Sequence, residues 1–260
     1  MAVDRAGRKR SNLRDRMIVG VILVALAAAA IWFGAWSFVL LVAAAVLLAF
    51  REWAAMMQVR RPWYSLGLVV LAAVTLLTGM DRPEQALLLL CAAIALLSLV
   101  SRNIWLGAGL SWAGLPAIAL IWMRAEPHGL WLVLWTMALV WATDIFAYFS
   151  GRAIRGPKIW PAISPSKTWA GLIGGMLAAA IFSVLFAWHV GWGGPVWLAA
   201  PAAAGLAVVA QAGDFFESWL KRRAGVKDSG NLLPGHGGVM DRIDGLVPVA
   251  VVVAIGVALA

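Results

Sequence analysis

The sequence predicts an all-α integral membrane protein of about nine transmembrane helices, with a polar cavity on the cytoplasmic side. Three observations carry this. Of 260 residues, 63% are hydrophobic and 13% charged, with a mean hydropathy of +0.89. A soluble domain is roughly 45–50% apolar and about 25% charged. Long apolar runs follow one another with short polar breaks, and the 21 Lys and Arg fall almost wholly into alternate breaks.

The runs place spanning segments at 17–33, 35–50, 63–79, 85–100, 104–122, 130–150, 169–190, 196–220 and 246–260. The first two form a tight hairpin, and each is short for a ~30 Å hydrocarbon core, so the count is eight or nine. Charge favours nine. With the N-terminus in the cytoplasm, the tail and the 51–62, 101–103, 151–168 and 221–245 loops lie inside. They hold every Lys and Arg except Arg82 and Arg124. This orientation fits a bacterial-type inner membrane. The basic tail before Ala27 to Ala30 also has the form of a signal peptide, but a first spanning helix needs no cleavage step. Residues 1–130 read as membrane helices of little further information. Residues 131–260 carry the two long cytoplasmic loops, 151–168 and 221–245.

A net charge of +9 and a pI near 10.8 do not mark a nucleic-acid binder, because the cations are spread over loops that set topology. The single cysteine, Cys91, excludes a disulfide framework and a cysteine metal site. Trp32, Trp63, Trp105, Trp122 and Trp188 fall near run ends, where an interfacial belt would place them; Trp112 and Trp135 suit helix packing better.

The acids are the informative residues. Beyond position 130 they are Asp144, Asp214, Glu217, Asp228, Asp241 and Asp244, none in an external loop. A carboxylate in a spanning helix costs a few kcal/mol and points to function. Asp144 and Asp214 each lie about 9 Å below the cytoplasmic surface, by helical rise. Either they face one polar cavity, or each pairs structurally with a cation. Asp214, Ser218 and Lys221 are spaced i, i+4, i+7 and share a helix face flanked by Glu217. Asp241 and Asp244 share a face if a short helix leads into the last span. Hard cations such as Mg²⁺ take carboxylate oxygens and substrate phosphates. Asp214 and Asp241 are the best ligand pair, with Asp244 and Asp228 behind them and Asp144 at matched depth.

Two loops read as anion sites. Pro234-Gly235-His236-Gly237-Gly238 is too glycine-rich for a helix; it is either a close approach of backbone N–H groups to phosphate or a plain hairpin. His236 is accordingly a phosphate donor or a loop cap. Ser164-Pro165-Ser166-Lys167-Thr168 directly precedes a spanning helix, as an anion site or as an N-cap with a positive-inside lysine.

The run Ser218-x-Leu220-Lys221-Arg222-x4-Lys227-Asp228-x-Gly230-x2-Leu233-Pro234-x-His236-Gly237-Gly238-Val239-x-Asp241-Arg242-Ile243-Asp244 resembles, without departure, the signature of phosphatidate cytidylyltransferases. Gly213-Asp214, the Ser164 to Trp169 element and Trp141-Ala142-Thr143-Asp144 resemble further elements of that family. The resemblance covers roughly 140–250 and implies a reaction of CTP with phosphatidic acid, giving CDP-diacylglycerol and diphosphate. It also implies Mg²⁺, a second cation such as K⁺, and a homodimer. Asp214 and Asp241 fall on its metal ligands; Ser218, Lys221 and Lys227 fall in its conserved polar set.

A lipid phosphate is already an anion, so the site needs charge neutralisation and positioning rather than a strong base. Lys167, Lys221, Arg222 and Lys227 suit the triphosphate and headgroup. Ser164, Ser166, Thr168, Ser218, His236, Gly237, Gly238 and Arg242 complete the expected substrate contacts, and Asp228 joins Asp214 and Asp241 in the catalytic set. A CTP-dependent lipid kinase would use similar parts. A cation- or proton-coupled transporter would place Asp144 and Asp214 near mid-membrane, but the acids gather at one face beside a basic loop, which favours an enzyme.

Overall fold

The computed structural model describes residues 13–191, 194–230 and 237–260. Ten α-helices follow in order: α1 (Leu13–Phe33), α2 (Ala35–Met56), α3 (Arg61–Gly79), α4 (Pro83–Ser101), α5 (Ile104–Ala125), α6 (Gly129–Ile154), α7 (Trp169–Val190), α8 (Ala199–Arg223), α9 (Met240–Ile243) and α10 (Leu246–Ala258). A 3-10 turn, Val196–Leu198, leads into α8. Among the described residues the only β pairing is an isolated bridge between Lys158 and Thr168.

Among the described residues, seven segments are long and apolar enough to cross a membrane: α2 to α7, and Val196–Arg223. The expected spans at 17–33 and 246–260 are not among these seven. The last helix has 13 residues, about 20 Å of rise against a ~30 Å core. Several helices also run past their expected ends. α2 continues to Met56, so Arg51 and Glu52 are helical rather than loop residues; Glu52, Trp53 and Ala54 are buried there. α8 continues to Arg223, which makes Lys221 part of its last turn.

One apolar core joins both halves of the chain, from Ile31 and Phe50 through Leu110 and Leu139 to Val249. Polar side chains within the helices turn inward on their own backbone. Thr75, Thr78, Thr136 and Thr143 each donate to the carbonyl four residues back, at 2.8–3.0 Å. Trp135 donates its indole N–H to Ser183 at 2.9 Å, consistent with a packing role.

α6 and α7 meet almost backbone to backbone. A Cβ on Gly171 would lie 2.9 Å from the Ala147 carbonyl, and one on Gly175 would lie 2.9 Å from that of Thr143. This contact fixes the start of α7 beside the end of α6. At the opposite end, Arg124 at the foot of α5 donates to the last carbonyls of α1, Ile31 at 2.8 Å and Trp32 at 3.2 Å. A cavity of about 870 Å³ lies at that end, lined by Trp131, Trp135, Phe186, Pro201, Leu206 and Val253. Its lining is apolar, and it is not the expected polar opening: the charged groups lie at the other end of the helices.

Candidate active site

The ends of α2, α6 and α8 meet the starts of α5, α7, α9 and α10. This collects the 101–103 and 151–168 loops and residues 224–230 and 237–239 at one end. Trp53 donates to the Trp105 carbonyl at 2.8 Å, tying α2 to α5. The Arg223 guanidinium lies 4.9 Å from the Trp105 ring and 5.9 Å from the Trp219 ring, tying α5 to α8.

The loop before α7 folds back as a hairpin. Ile159 donates to the Lys167 carbonyl and Trp169 donates to the Pro157 carbonyl, both at 3.1 Å. Thr168 Oγ1 accepts from Gly171 N at 3.1 Å and caps α7. Ser164 is buried and Ser166 exposed. The fold-back delivers Lys167 to α8, where Nζ pairs with Asp214 Oδ2 and lies 4.9 Å from the Phe215 ring.

α8 lies tight against the start of α10. A Cβ on Gly213 would meet the Asp244 carbonyl at 2.4 Å and Pro248 Cγ at 2.7 Å. That approach sets the Asp214 and Asp244 carboxyls in hydrogen-bond contact. Burial first, then this hydrogen bond and the Asp214 charge, push the Asp244 carboxyl well above the ordinary carboxylate range. Asp144, exposed on α6, lies within electrostatic reach of Asp214 and Lys167.

One turn further along α8, Lys221 Nζ donates to Glu217 Oε1 at 3.0 Å and to Asp241 Oδ1 at 2.6 Å. Glu217 is fully buried, and its Oε2 has no hydrogen-bond partner. Asp241 Oδ2 accepts from Ser229 N at 3.0 Å and Gly238 N at 2.8 Å, and lies 3.0 Å from Ser229 Oγ, whose single proton is also within reach of Glu52. Burial opposes ionisation of Asp241, but the donors, Lys221 foremost, outweigh it and pull its carboxyl down to about 2.

The geometry sorts the expected site residues. Asp144, Lys167, Asp214, Asp244, Glu217, Lys221 and Asp241 gather in one polar row, five carboxylates around two lysines. Ser218 lies half-buried beside it. Arg222, Lys227, Asp228 and Arg242 are exposed around the row. Gly237 adopts a φ of +82°, and a Cβ there would lie 2.8 Å from Asp241 Oδ2, so glycine is required twice over. The Gly238 N–H is directed to Asp241 within the protein. His236 lies outside the described residues.

Sequence reasoning missed Glu52. Its buried carboxylate accepts from Val239 N, Met240 N and Ser229 Oγ, each at 2.9 Å. The signal was there: an acid in the final turn of an otherwise apolar helix.

Among the described residues no three acid, His or Cys side chains are arranged as a ready metal cage. Mg²⁺ is commonly held by one or two carboxylates together with substrate phosphates. The neighbouring Asp214 and Asp244 carboxyls supply that number of hard oxygen donors, whereas both Asp241 oxygens are engaged by Lys221, Ser229 and Gly238.

Carboxylates clustered around two lysines at one end of an apolar helical bundle define a membrane protein with a charged site of the kind an enzyme uses. The chain belongs to the cytidylyltransferase family, whose model matches residues 14–260. It is similar to the phosphatidate cytidylyltransferase of Brucella abortus (strain 2308), with 42% identity over 253 residues, 92% of this chain and 91% of the relative. It is also similar to those of Rickettsia bellii, 35% identical over 178 residues (64% of this chain, 77% of the relative), and Staphylococcus haemolyticus, 43% identical over 116 residues (45% of each).

Proposed function

We propose that this chain transfers the cytidylyl group of CTP to phosphatidate, giving CDP-diacylglycerol and diphosphate. The observation that carries the reading is the pairing of Lys167 and Lys221 with a cluster of carboxylates, in a family whose relatives are named for this reaction. A phosphatidate oxygen attacks the α-phosphorus of CTP. The new P–O bond forms as the bond to the β-phosphate oxygen breaks, and diphosphate leaves. The nucleophile is already anionic, so no residue has to remove a proton. Lys167 and Lys221 neutralise phosphate oxygens, and Arg222, Lys227 and Arg242 attract the triphosphate from the rim. Asp214 and Asp241, with Asp244 and Asp144 beside them, would hold Mg²⁺. When bound, the ion neutralises developing charge on the phosphates.

The polar row faces the cytoplasm in this reading, as the Lys and Arg pattern requires and as a cytosolic nucleotide demands. Phosphatidate keeps its acyl chains in the bilayer and reaches the row sideways. K⁺ as a second cation and a homodimer complete the proposal, both from the family resemblance. The test uses purified protein in detergent with Mg²⁺, phosphatidate and CTP labelled at the α-phosphate. Label enters lipid with the wild type and not with Asp241→Ala. Label entering lipid only from γ-labelled CTP would overturn the reading in favour of a lipid kinase.

A further inference from the structure

The segment that carries Asp241 is held from two sides, and its amides are shared in strict order. Gly238 N donates to Asp241 Oδ2 at 2.8 Å; Val239 N and Met240 N donate to Glu52 Oε1 and Oε2, both at 2.9 Å. Ser229 Oγ lies 2.9 Å from Glu52 Oε2 and 3.0 Å from Asp241 Oδ2, so one hydroxyl joins the two carboxylates. Glu52 comes from α2, 177 residues before Ser229.

The glycines of the segment are shaped around this carboxylate. A Cβ on Gly230 would meet Glu52 Oε1 at 2.7 Å, and one on Gly238 would meet Glu52 Oε2 at 2.4 Å and Ser229 Oγ at 2.1 Å. The end of α2 is itself fixed: Trp53 is buried, donates to the Trp105 carbonyl and packs in a cluster with Leu220 and Met240. A buried carboxylate is expensive without donors, and here three protein donors compensate it.

We infer that Glu52 is a positioning residue for the transfer reaction. It holds the start of α9 and, through Ser229, sets where the Asp241 carboxylate stands. It touches neither substrate, and the inference rests on the reading above that Asp241 belongs to the reaction centre. Loss of Glu52 therefore lowers turnover while leaving the sites for lipid and nucleotide in place. Glu52→Gln keeps the side-chain length but turns an NH₂ group toward backbone N–H donors. Glu52→Asp keeps the charge but shortens the reach.

The experiment compares full-length wild type, Glu52→Gln, Ser229→Ala and the double variant in detergent. Wild-type turnover comes first; its absence would defeat the functional reading itself. Amide hydrogen exchange over 237–241 then tests the anchor without any substrate. Glu52→Gln is expected to exchange faster there and to lose about 100-fold in kcat, as displacement of a reacting group does. KM for phosphatidate stays within about twofold of wild type, since uniform binding is not what the residue supplies. Ser229→Ala alone lowers kcat about 10-fold, the scale of one hydrogen bond to a charged group. The double variant is little worse than Glu52→Gln, because both act through one contact. A Glu52→Gln protein with near-wild-type kcat, or with a raised KM and unchanged kcat, would overturn the inference. Should Glu52→Gln fail to fold, Ser229→Ala decides: turnover within twofold of wild type overturns it as well.

Discussion

Lys221 reaches from the last turn of α8 to Asp241 at the start of α9, with 2.6 Å between Nζ and Oδ1. The same ammonium also holds the fully buried Glu217. Removing it would leave two carboxylates facing each other with no cation between them, one without contact to solvent. Lys221→Met is expected to lower turnover at least about 100-fold, and to lower stability by roughly 3 kcal/mol as a buried partner is lost. Labelled-CTP transfer and thermal unfolding, run side by side, check the two effects.

Gly213 and Gly205 lie on the same helix but face different surroundings. Gly213→Ala forces a methyl against the Asp244 carbonyl, while a Cβ at Gly205 meets nothing within 4 Å. The first substitution costs about 1–3 kcal/mol by overpacking and parts Asp214 from Asp244, so activity falls with stability. The second gains a few tenths to about 1 kcal/mol of helix propensity and leaves activity unchanged. Melting midpoints of the two variants are expected to move in opposite directions.

Acid should expose the Asp241 contacts. Its carboxyl titrates near 2 in the folded protein, below the 3.8 of an unperturbed Asp. A depressed folded pKa contributes stability that is complete above the unfolded value and lost as pH falls through the folded one. The contribution, about 2 kcal/mol, is therefore present at pH 6 and fades between about pH 5 and pH 2. In metal-free buffer, the unfolding midpoint of wild type should fall more steeply with acid over this window than that of Asp241→Asn.

Arg124 is a cation with structural work far from the row. Its guanidinium caps α1 and lies so close to Gly34 that a Cβ there would meet Nη2 at 2.5 Å. Arg124→Gln is expected to lower stability by about 1–2 kcal/mol through the lost carbonyl contacts. Turnover per folded molecule should not change, which a transfer assay on the purified variant checks.

Much of this arrangement was legible in the sequence, for identifiable reasons. Charge placement grouped the 101–103, 151–168 and 221–245 loops, and the structure brings their described residues to one end. Lys221, expected on a face with Asp214 and Ser218, instead pairs with the flanking Glu217 and with Asp241. Of the two readings of the Ser-Pro-Ser-Lys-Thr element the N-cap is seen, since Thr168 caps α7, while Lys167 goes to Asp214. What stayed hidden depends on which helices touch. Nothing local shows that Gly213 admits Asp244, or that Glu52 serves a segment from the other end of the chain. The length of α2 was misjudged because its final turn is polar, and a charged turn in an apolar helix looks like its end until its partners are known.

Lys167 and Lys221 each rest on protein carboxylates. A phosphate that gains either lysine must therefore displace an internal counter-ion. Substrate capture becomes an ion exchange, in which a carboxylate released by its lysine acquires another cation as the nucleotide settles. Nucleotide and metal would then be taken up as mutually dependent guests, and neither alone would find the row open.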